Sequence, residues 1–425
     1  MKRISMLLLV IITALPSFAQ LQLIELPEHD FIQYEKNVLH YDSSSLQMKR
    51  LFEKWHRIEK THQGNLNIVH IGSSHVQAGS LPNTIRCNIM TAYPQLVANR
   101  GMVFPYSAAA KCNNPADYKI HCPQKIRLTR NVYNDLDCAL GLCGIAVTAF
   151  DTVTEVQMVM NESRVEYATN RVVIIGSSPQ NVIPRISMDG RVRMPSYIDR
   201  LSERFVFNLE HPTDSFSILI PCEIAQSFTI NGIYLGNGHS GFSYHSIGVN
   251  GASLADYLKC THFTHDLRLL HPDLVVFGIG INDAVSADFD TVAFRQKYLQ
   301  LVDSVRSVNP DCAFIFITNN DSFIRKSRRK YAVNPNGVVA REVFYRLAQE
   351  TDGAVWDQFE VMGGLKSMDK WRKAKLAQTD RVHFTAVGYR LIGNLFSNAL
   401  FDAVNKYKPY NPNQQSGGRY QYISY

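Results

Sequence analysis

Two serines and a histidine lie together at the point where a predicted strand gives way to a predicted helix. The segment HIGSSHVQAGS (70–80) follows a short apolar run and contains Ser73, Ser74 and His75. A serine in this position can cap the helix by accepting a backbone N–H, or it can be a nucleophile if a base removes its proton. The second interpretation, applied to Ser74, requires a base, a group that orients the base, and hydrogen-bond donors for an oxyanion.

An aspartate and a histidine three residues apart are candidates for the orienting group and the base. They are Asp380 and His383, in the segment TDRVHFTAVGY (379–389) directly before the last predicted helix. In a turn with this spacing, the carboxylate can hold one imidazole nitrogen while the other faces a serine hydroxyl. His75 is adjacent to Ser74, but we expect it to be structural or to face a substrate, because neighbouring side chains point apart at a strand–helix turn.

Two glycine-containing strand ends can supply the oxyanion donors. GIGINDA (278–284) offers the side-chain amide of Asn282, and GVNGA (248–252) offers the backbone N–H of Gly251, which no side chain shields. Taken singly, each candidate has an ordinary explanation as a cap or a turn former. Their joint occurrence at strand ends favours one site with Ser74, since the carboxyl ends of parallel strands meet at the same edge of a sheet.

Strand–turn–helix units must position these segments. Short apolar, β-branched runs suit buried parallel strands, and the stretches that follow them carry apolar residues at helical spacing. The predicted units are strand 67–71 with helix 80–93, strand 271–280 with helix 292–308, and strand 312–318 with helix 338–351, then a short strand at 353–357 and a last helix at 386–406. This alternation indicates an α/β fold with a doubly wound parallel sheet.

Between about 110 and 235 the helical periodicity disappears. Short alternating runs such as EVQMVM (155–160) and SFSILIP (215–221) are separated by turn formers, which is typical of an antiparallel β-sandwich. Because α/β elements flank this region on both sides, we predict that it is a domain inserted into the first one. The predicted organisation is a signal peptide (1–19), a first α/β part (20–110), the inserted sandwich (111–235), a second α/β part (236–408) and a flexible tail (409–425).

The candidate residues resemble the SGNH (GDSL-like) hydrolase superfamily. Ser74, Gly251, Asn282 and the pair Asp380-x-x-His383 occur in the order that defines this family, in four blocks spread over the α/β portion. The resemblance implies an SGNH, flavodoxin-like fold in which Ser74 is the nucleophile, His383 the general base and Asp380 its orienting group. It also implies an oxyanion hole made by the Ser74 N–H, Gly251 and Asn282, and no cofactor.

The long β insert is similar in arrangement to that of peptidoglycan O-acetylesterases of this superfamily, in which a carbohydrate-binding-like module interrupts the catalytic domain. This kinship implies a serine esterase that removes O-acetyl groups from a cell-envelope or environmental polysaccharide. The sequence departs from the family at one position, because Ser73 stands where an aspartate usually precedes the nucleophile. That aspartate organises hydrogen bonds around the serine, so the change concerns efficiency more than identity.

Two alternatives to an esterase use the same residues. A polysaccharide O-acetyltransferase would pass the acyl group from Ser74 to a sugar hydroxyl and needs the same triad, and a glycan-binding protein would carry a weakened triad beside a functional insert. The sequence leaves open the glycan, the acyl group and the oligomeric state. Near the Asp–His turn, Gly363, Gly364 and Trp371 are possible cleft residues, with turn formation and packing as the favoured alternatives.

The charge balance is mildly basic. A net charge of +7 over 425 residues does not indicate a nucleic-acid partner. One dense basic run, RKSRRK (325–330), is concentrated between a strand and a helix. We interpret it as a solvated loop, with attraction of an acidic glycan as the alternative.

The amino terminus indicates where the protein is located. Lys2 and Arg3 precede an apolar stretch and a small-residue site at 17–19, which predicts a signal peptide and an exported, periplasmic or extracellular protein. No other apolar run is long enough to span a membrane.

The eight cysteines show no CxxC pair and no zinc spacing, so a metal site is not predicted. In an oxidising compartment some can pair, the nearest in sequence being Cys112 with Cys122 and Cys138 with Cys143.

Overall fold

The computed structural model describes residues 20–108, 112, 115–160, 167, 169–328 and 330–407, so the predicted signal peptide and tail lie outside the described residues. Its strands are β1 (Leu39–Tyr41), β2 (Asn65–Gly72), β3 (Gly101–Val103), β4 (Tyr118–His121), β5 (Arg127–Arg130), β6 (Ile145–Phe150), β7 (Val153–Met160), β8 (Thr169–Ser177), β9 (Arg185–Met188), β10 (Arg191–Arg193), β11 (Tyr197–Asp199), β12 (Arg204–Thr213), β13 (Ser215–Pro221), β14 (Ser227–Gly236), β15 (Gly241–Gly248), β16 (Leu274–Gly278), β17 (Ala313–Ile317), β18 (Phe323–Arg325), β19 (Tyr331–Val333) and β20 (Ala354–Trp356). Its α-helices are α1 (Leu46–Thr61), α2 (Ser74–Gln77), α3 (Ser80–Ala92), α4 (Leu254–Leu258), α5 (Phe263–Leu270), α6 (Thr291–Arg306), α7 (Asn336–Glu350), α8 (Gln358–Val361), α9 (Ser367–Lys373) and α10 (Ala386–Lys406).

The central sheet has the strand order β1-β20-β17-β16-β2-β15. The last five of these strands run parallel, and β1 pairs antiparallel with β20 at the edge. A mixed α/β fold with a parallel sheet is thereby confirmed. The strands β2, β16, β17 and β20 lie within or close to the predicted runs, because strands buried on both faces read as continuous apolar stretches.

Helices cover both faces of this sheet. On β16, Leu274 and Val276 point to a core formed with α1, α3 and α10, whereas Val275 and Phe277 point to a core formed with α6 and α7. Successive side chains of a strand point to opposite faces, so one strand contributes to both cores. The carboxyl edge of the sheet is left as the place where loops from several strands meet.

The remaining large sheets are antiparallel. One has the order β10-β9-β13-β7-β4, and the other has the order β11-β12-β8-β14-β6-β5, with β3 also paired to β14. Alternate residues of both sheets are buried in a common apolar cluster, for example Ile218 on β13 and Ile174 on β8. Strand β3 takes part in this sheet although it lies before residue 111, where we predicted that the insert begins.

The cysteines do not form the pairs that we considered. All eight are free thiols in the structure, including Cys112, Cys122, Cys138 and Cys143. Nearness in sequence does not bring thiols together here, because the chain directs them to separate places; Cys122, for example, donates to the Gln124 carbonyl at 3.6 Å. Among the described residues, no group of three or more His, Cys, Asp or Glu side chains could hold a metal ion.

The last helix, α10, has the predicted bounds and packs its apolar stripe into the core. Leu391, Leu395, Phe396 and Val404 are all buried, and the Phe396 ring lies 5.3 Å from that of Trp356. Because α10 packs against the sheet, it fixes the position of the loop that precedes it, which carries Asp380 and His383. Within the described part of the chain, no helix combines the length and the hydropathy needed to cross a bilayer.

Replacing Phe396 by alanine should lower the free energy of unfolding by about 3–5 kcal/mol, because it leaves a cavity under α10. Val387→Ala, on the same helix with 52% of the side chain exposed, should change it by less than about 0.5 kcal/mol. Urea unfolding followed by circular dichroism measures both. Equal midpoints for the two variants would contradict the packing described for α10.

Candidate active site

Three glycines end three neighbouring parallel strands at the same level. Gly72 of β2 is in register with Gly248 of β15 on one side and with Gly278 of β16 on the other. A Cβ on Gly72 would lie 2.8 Å from the Gly278 carbonyl oxygen, and a Cβ on Gly248 would lie 2.4 Å from the Gln77 nitrogen. Only glycine permits this close approach, and it allows the short helix α2 to rest directly on the edge of the sheet.

Ser74 is the first residue of α2, and its side chain does not cap a helix. Ser73 occupies the capping position but makes no side-chain capping bond, and its buried hydroxyl has no partner among the residues that the structure describes. The Ser74 hydroxyl instead lies 2.8 Å from Nε2 of His383. The structure therefore brings together two residues separated by 309 positions.

The histidine is held by the aspartate three residues before it. Nδ1 of His383 lies 2.8 Å from Oδ2 of Asp380, whose other oxygen accepts the backbone N–H groups of Val382 at 2.9 Å and His383 at 3.0 Å. This tight turn requires a left-handed backbone at Arg381, with φ of 60°. The sequence spacing thus folds into a hydrogen-bonded chain from carboxylate to imidazole to hydroxyl.

Asp380 is strongly acidic in this setting. Partial burial acts to raise its pKa, but the hydrogen bonds from the His383 side chain and from the His383 and Val382 backbone outweigh burial and lower the pKa to about 2. The carboxylate is therefore ionised at neutral pH and accepts the proton on Nδ1 of His383. This fixes the tautomer in which Nε2 is free to accept the Ser74 proton.

Gly251 and Asn282 lie on the loops that follow β15 and β16. Gly251 has φ of 83°, and a Cβ there would meet nothing within 4 Å. The Asn282 amide donates one hydrogen to the Ala252 carbonyl at 2.9 Å, which ties the two loops together and leaves its second N–H. Among the described residues, no acceptor is found for the backbone N–H groups of Ser74 and Gly251, so both can donate to a ligand.

Two residues that sequence reasoning missed stabilise this arrangement. Gln77, on the same short helix as Ser74, accepts the Asn250 N–H at 2.6 Å and so fixes the loop that carries Gly251. Tyr389, on the first turns of α10, has its hydroxyl 2.8 Å from Nδ1 of His75. The available signal for Gln77 was its nearness in sequence to Ser74, and for Tyr389 its place six residues after His383.

His75 packs beside the catalytic candidates without joining them. Its ring lies 5.3 Å from the His383 ring, and neither of its nitrogens contacts Ser74. Burial, aided by the nearby His383, lowers its pKa to about 3 although Asp380 opposes this. Its buried Nε2, like Nε2 of His70, has no partner among the described residues.

A small pocket lies beside the site. It has a volume of about 20 Å³ and is lined in part by His70, His75, Asn319 and Tyr389. Nδ2 of Asn319 is also buried without a partner in the described part of the chain. A polar cavity of this size has room for about one water molecule, which could satisfy these nitrogens.

The possible cleft residues upstream of the Asp–His turn have other roles. Trp371 has no exposed surface, donates to the Met362 carbonyl at 2.9 Å and packs 5.2 Å from the Phe384 ring. The cleft assignment is therefore wrong for Trp371, because a substrate cannot reach it. Gly363 and Gly364 form the turn after α8 with φ of 107° and 70°, and a Cβ on Gly363 would lie 2.4 Å from a backbone oxygen, so these glycines are needed for the turn.

Residues 228–391 match the sequence profile of the GDSL-like lipase/acylhydrolase family. The match contains Gly251, Asn282, Asp380 and His383, whereas Ser74 lies before it, beyond the antiparallel sheets. A solved structure described as a peptidoglycan O-acetylesterase in action superposes with a TM-score of 0.70 at 20% identity, over 86% of this chain and 99% of that chain. At that coverage, the shared fold cannot be confined to the parallel sheet and its helices.

Smaller structures match a part of the chain. An acetyl xylan esterase, AlAXEase, is 16% identical over 38% of this chain and 82% of its own, with a TM-score of 0.30. A lipase/acylhydrolase from Enterococcus faecalis is 22% identical over 38% of this chain and 77% of its own, with a TM-score of 0.30. No significant sequence match is found among curated proteins.

A fluorophosphonate, which phosphonylates activated serine hydroxyls, should label the chain at Ser74 alone. His383→Gln should slow labelling by about 10³-fold or more, because no group then accepts the Ser74 proton. Ser307→Ala, at the exposed end of α6, is the matched control and should leave the rate unchanged. Peptide mapping by mass spectrometry identifies the labelled residue, and label on another serine would contradict the geometry.

Buried histidines should make the fold sensitive to acid. Burial lowers the pKa of His70, His75 and His245 to about 3 each, so the unfolded chain binds protons below its ordinary histidine pKa of about 6.5 that the folded chain does not. The free energy of unfolding should fall as the pH decreases from about 6.5 to about 3, by at most about 1.4 kcal/mol per pH unit for each histidine.

Urea unfolding at a series of pH values measures this loss. The slope of the free energy of unfolding against pH should be smaller by about one third in His75→Gln. His211→Gln, which changes an exposed residue, should leave this slope unchanged. A stability that is flat between pH 6 and 4 would contradict the buried, neutral state of these rings.

Proposed function

We propose that this chain is an SGNH (GDSL-like) hydrolase and that it is a carbohydrate esterase, which removes O-acetyl groups from a polysaccharide through an acyl-serine intermediate. One observation carries the proposal: the continuous hydrogen-bonded chain from Asp380 through His383 to Ser74, placed at the carboxyl edge of the parallel sheet. The similarity to acylhydrolases supports ester chemistry, and the substrate is the part that we propose.

The geometry suggests how each group acts. As the Ser74 oxygen attacks the acetyl carbonyl carbon, its proton passes to Nε2 of His383, and the ionised Asp380 stabilises the resulting imidazolium. The negative charge on the carbonyl oxygen is met by the N–H groups of Ser74 and Gly251 and by the Asn282 amide. When the carbon–oxygen bond to the sugar breaks, the sugar oxygen takes the proton from His383.

Water completes the reaction by the same route. His383 takes a proton from a water molecule as the water oxygen attacks the acetyl carbon of the acyl-serine, and the same donors stabilise the second oxyanion. Collapse of that species returns the proton to the Ser74 oxygen and releases acetic acid. The Ser73 hydroxyl makes no hydrogen bond to these groups in the structure.

The antiparallel sheets and the fold comparison support the proposed substrate class. The chain shares its fold with a peptidoglycan O-acetylesterase over most of both chains, which supports a peptidoglycan-like O-acetylated polysaccharide as substrate and the antiparallel sheets as a carbohydrate-binding-like module. Residues 1–19, with their charged start and apolar stretch, support export to the periplasm or beyond. Such polymers are found there.

Purified chain should release acetate from O-acetylated peptidoglycan, and more slowly from O-acetylated xylan, when each is incubated separately. Ser74→Ala should reduce release by about 10⁴-fold or more, because it removes the nucleophile. Enzymatic acetate determination measures both rates. Equal rates for Ser74→Ala and the unaltered chain would favour a binding protein, and loss of acetyl from the polymer onto an added oligosaccharide acceptor would favour the acetyltransferase.

A further inference from the structure

Strands β18 and β19 form a hairpin, here called the basic hairpin, whose outer end presents exposed cations. Arg325, Lys326, Arg328 and Lys330 are all exposed, and the sequence contains no acidic residue from 322 to 337. Within the part of the chain that the structure describes, none of the four side chains has an ion-pair partner. Like charges this close repel one another, so the cluster does not serve folding and is available to an external anion.

The base of the basic hairpin is attached to the loop that carries the catalytic candidates. The Arg381 guanidinium lies over two hairpin rings, 5.0 Å from the centre of Phe323 and 4.7 Å from that of Tyr331, in cation–π contact. The Phe323 N–H also donates to the Arg381 carbonyl at 3.1 Å. Arg381 lies between Asp380 and His383, so the hairpin is fixed to the turn that holds the imidazole.

The other side of the hairpin base is attached to the loop after β16. The Asn334 side chain donates to the Ala284 carbonyl at 3.1 Å, and that of Asn336 donates to the same carbonyl at 3.0 Å and to Ser286 at 2.8 Å. These acceptors lie two and four positions after Asn282 in the chain. The basic residues begin two positions beyond Phe323, a rise of about 7 Å, on a hairpin whose base is attached to both loops of the site.

We propose that the basic hairpin binds carboxylate groups of the polysaccharide whose ester lies at Ser74, which makes the substrate an acidic glycan. This inference rests on the proposed esterase function and narrows its substrate class. Guanidinium and ammonium groups on a rigid support near the ester would hold a polymer chain that carries regularly spaced carboxylates.

Other polyanions fit the basic hairpin less well. The two aromatic rings of the hairpin are covered by Arg381 and are not free to stack bases, as single-stranded nucleic acids require. The described residues between the strands are basic or serine, so no apolar side chain is offered to a membrane. A carboxylated polysaccharide needs neither feature.

Binding is tested with chains that cannot hydrolyse the ligand. Ser74→Ala chain, and the same chain with Lys326→Glu and Arg328→Glu, are titrated into an O-acetylated polyuronic acid and into its carboxyl-reduced, neutral form, with isothermal calorimetry as readout. The charge reversals should weaken binding of the acidic polymer by roughly three- to tenfold and leave binding of the neutral polymer unchanged. In 1 M salt the difference for the acidic polymer should disappear, because charges are screened beyond about 3 Å.

A matched control separates local from overall charge. Lys49→Glu with Arg57→Glu reverses two exposed charges on α1 and should leave both affinities unchanged. The proposal is overturned if this control weakens binding as much as the hairpin variant does, if the hairpin variant binds the acidic polymer normally, or if single-stranded DNA or anionic vesicles bind the unaltered hairpin as tightly as the polyuronic acid. Equal urea midpoints show that each variant is folded.

The esterase proposal is tested apart from the hairpin. The unaltered chain is assayed with 4-nitrophenyl acetate, a small neutral ester that does not need the basic hairpin. If this ester is not hydrolysed but the binding results hold, the esterase function fails and the glycan site stands. If the ester is hydrolysed and the hairpin variant binds normally, the acidic-glycan inference fails alone.

Discussion

Three strand ends without side chains allow the helix of Ser74 to lie against the parallel sheet. Gly72, Gly248 and Gly278 are level with one another, and a methyl group on any of them would collide with α2, a neighbouring strand or a buried ring. Because the helix is this close, Ser74 begins it directly above the sheet edge, and its backbone N–H has no acceptor among the residues that the structure describes. The loops after the adjacent strands then bring Gly251 and Asn282 to the same edge, as parallel topology requires.

The imidazole reaches this edge from the far end of the chain, and its loop is held from several sides. Asp380 closes the turn from within through three hydrogen bonds, and the Asn320 amide donates to the Val382 carbonyl at 3.1 Å. The Arg381 guanidinium lies over two aromatic rings of the basic hairpin. A site supported in this way keeps its geometry without a substrate, which is the condition for electrostatic preorganisation.

The sequence predicted the long, buried elements well and the short ones poorly. Strands β2, β16 and β17 and helix α10 have continuous or periodic apolar patterns, whereas three-residue strands such as β1 and β18 are too short to carry one. Helix α1 was missed although Met48, Phe52 and Trp55 have helical spacing and are buried. The triad candidates could be found from residue type and order, whereas neither residue type nor order indicates that Gln77 pairs with Asn250 or Tyr389 with His75. Trp371 shows that nearness in sequence to a site does not imply exposure to it.

The central claim is that the Ser74 hydroxyl becomes acylated with the help of His383. The most direct measurement is to mix the chain with an acetyl ester, quench the reaction in acid within milliseconds, and locate the added acetyl group by peptide mass spectrometry. The account predicts an acetyl group on the peptide that contains Ser74, which appears before free acetate reaches its steady rate. Steady release of acetate with no acetylated Ser74 peptide, or an acetyl group that accumulates on another residue, would contradict it.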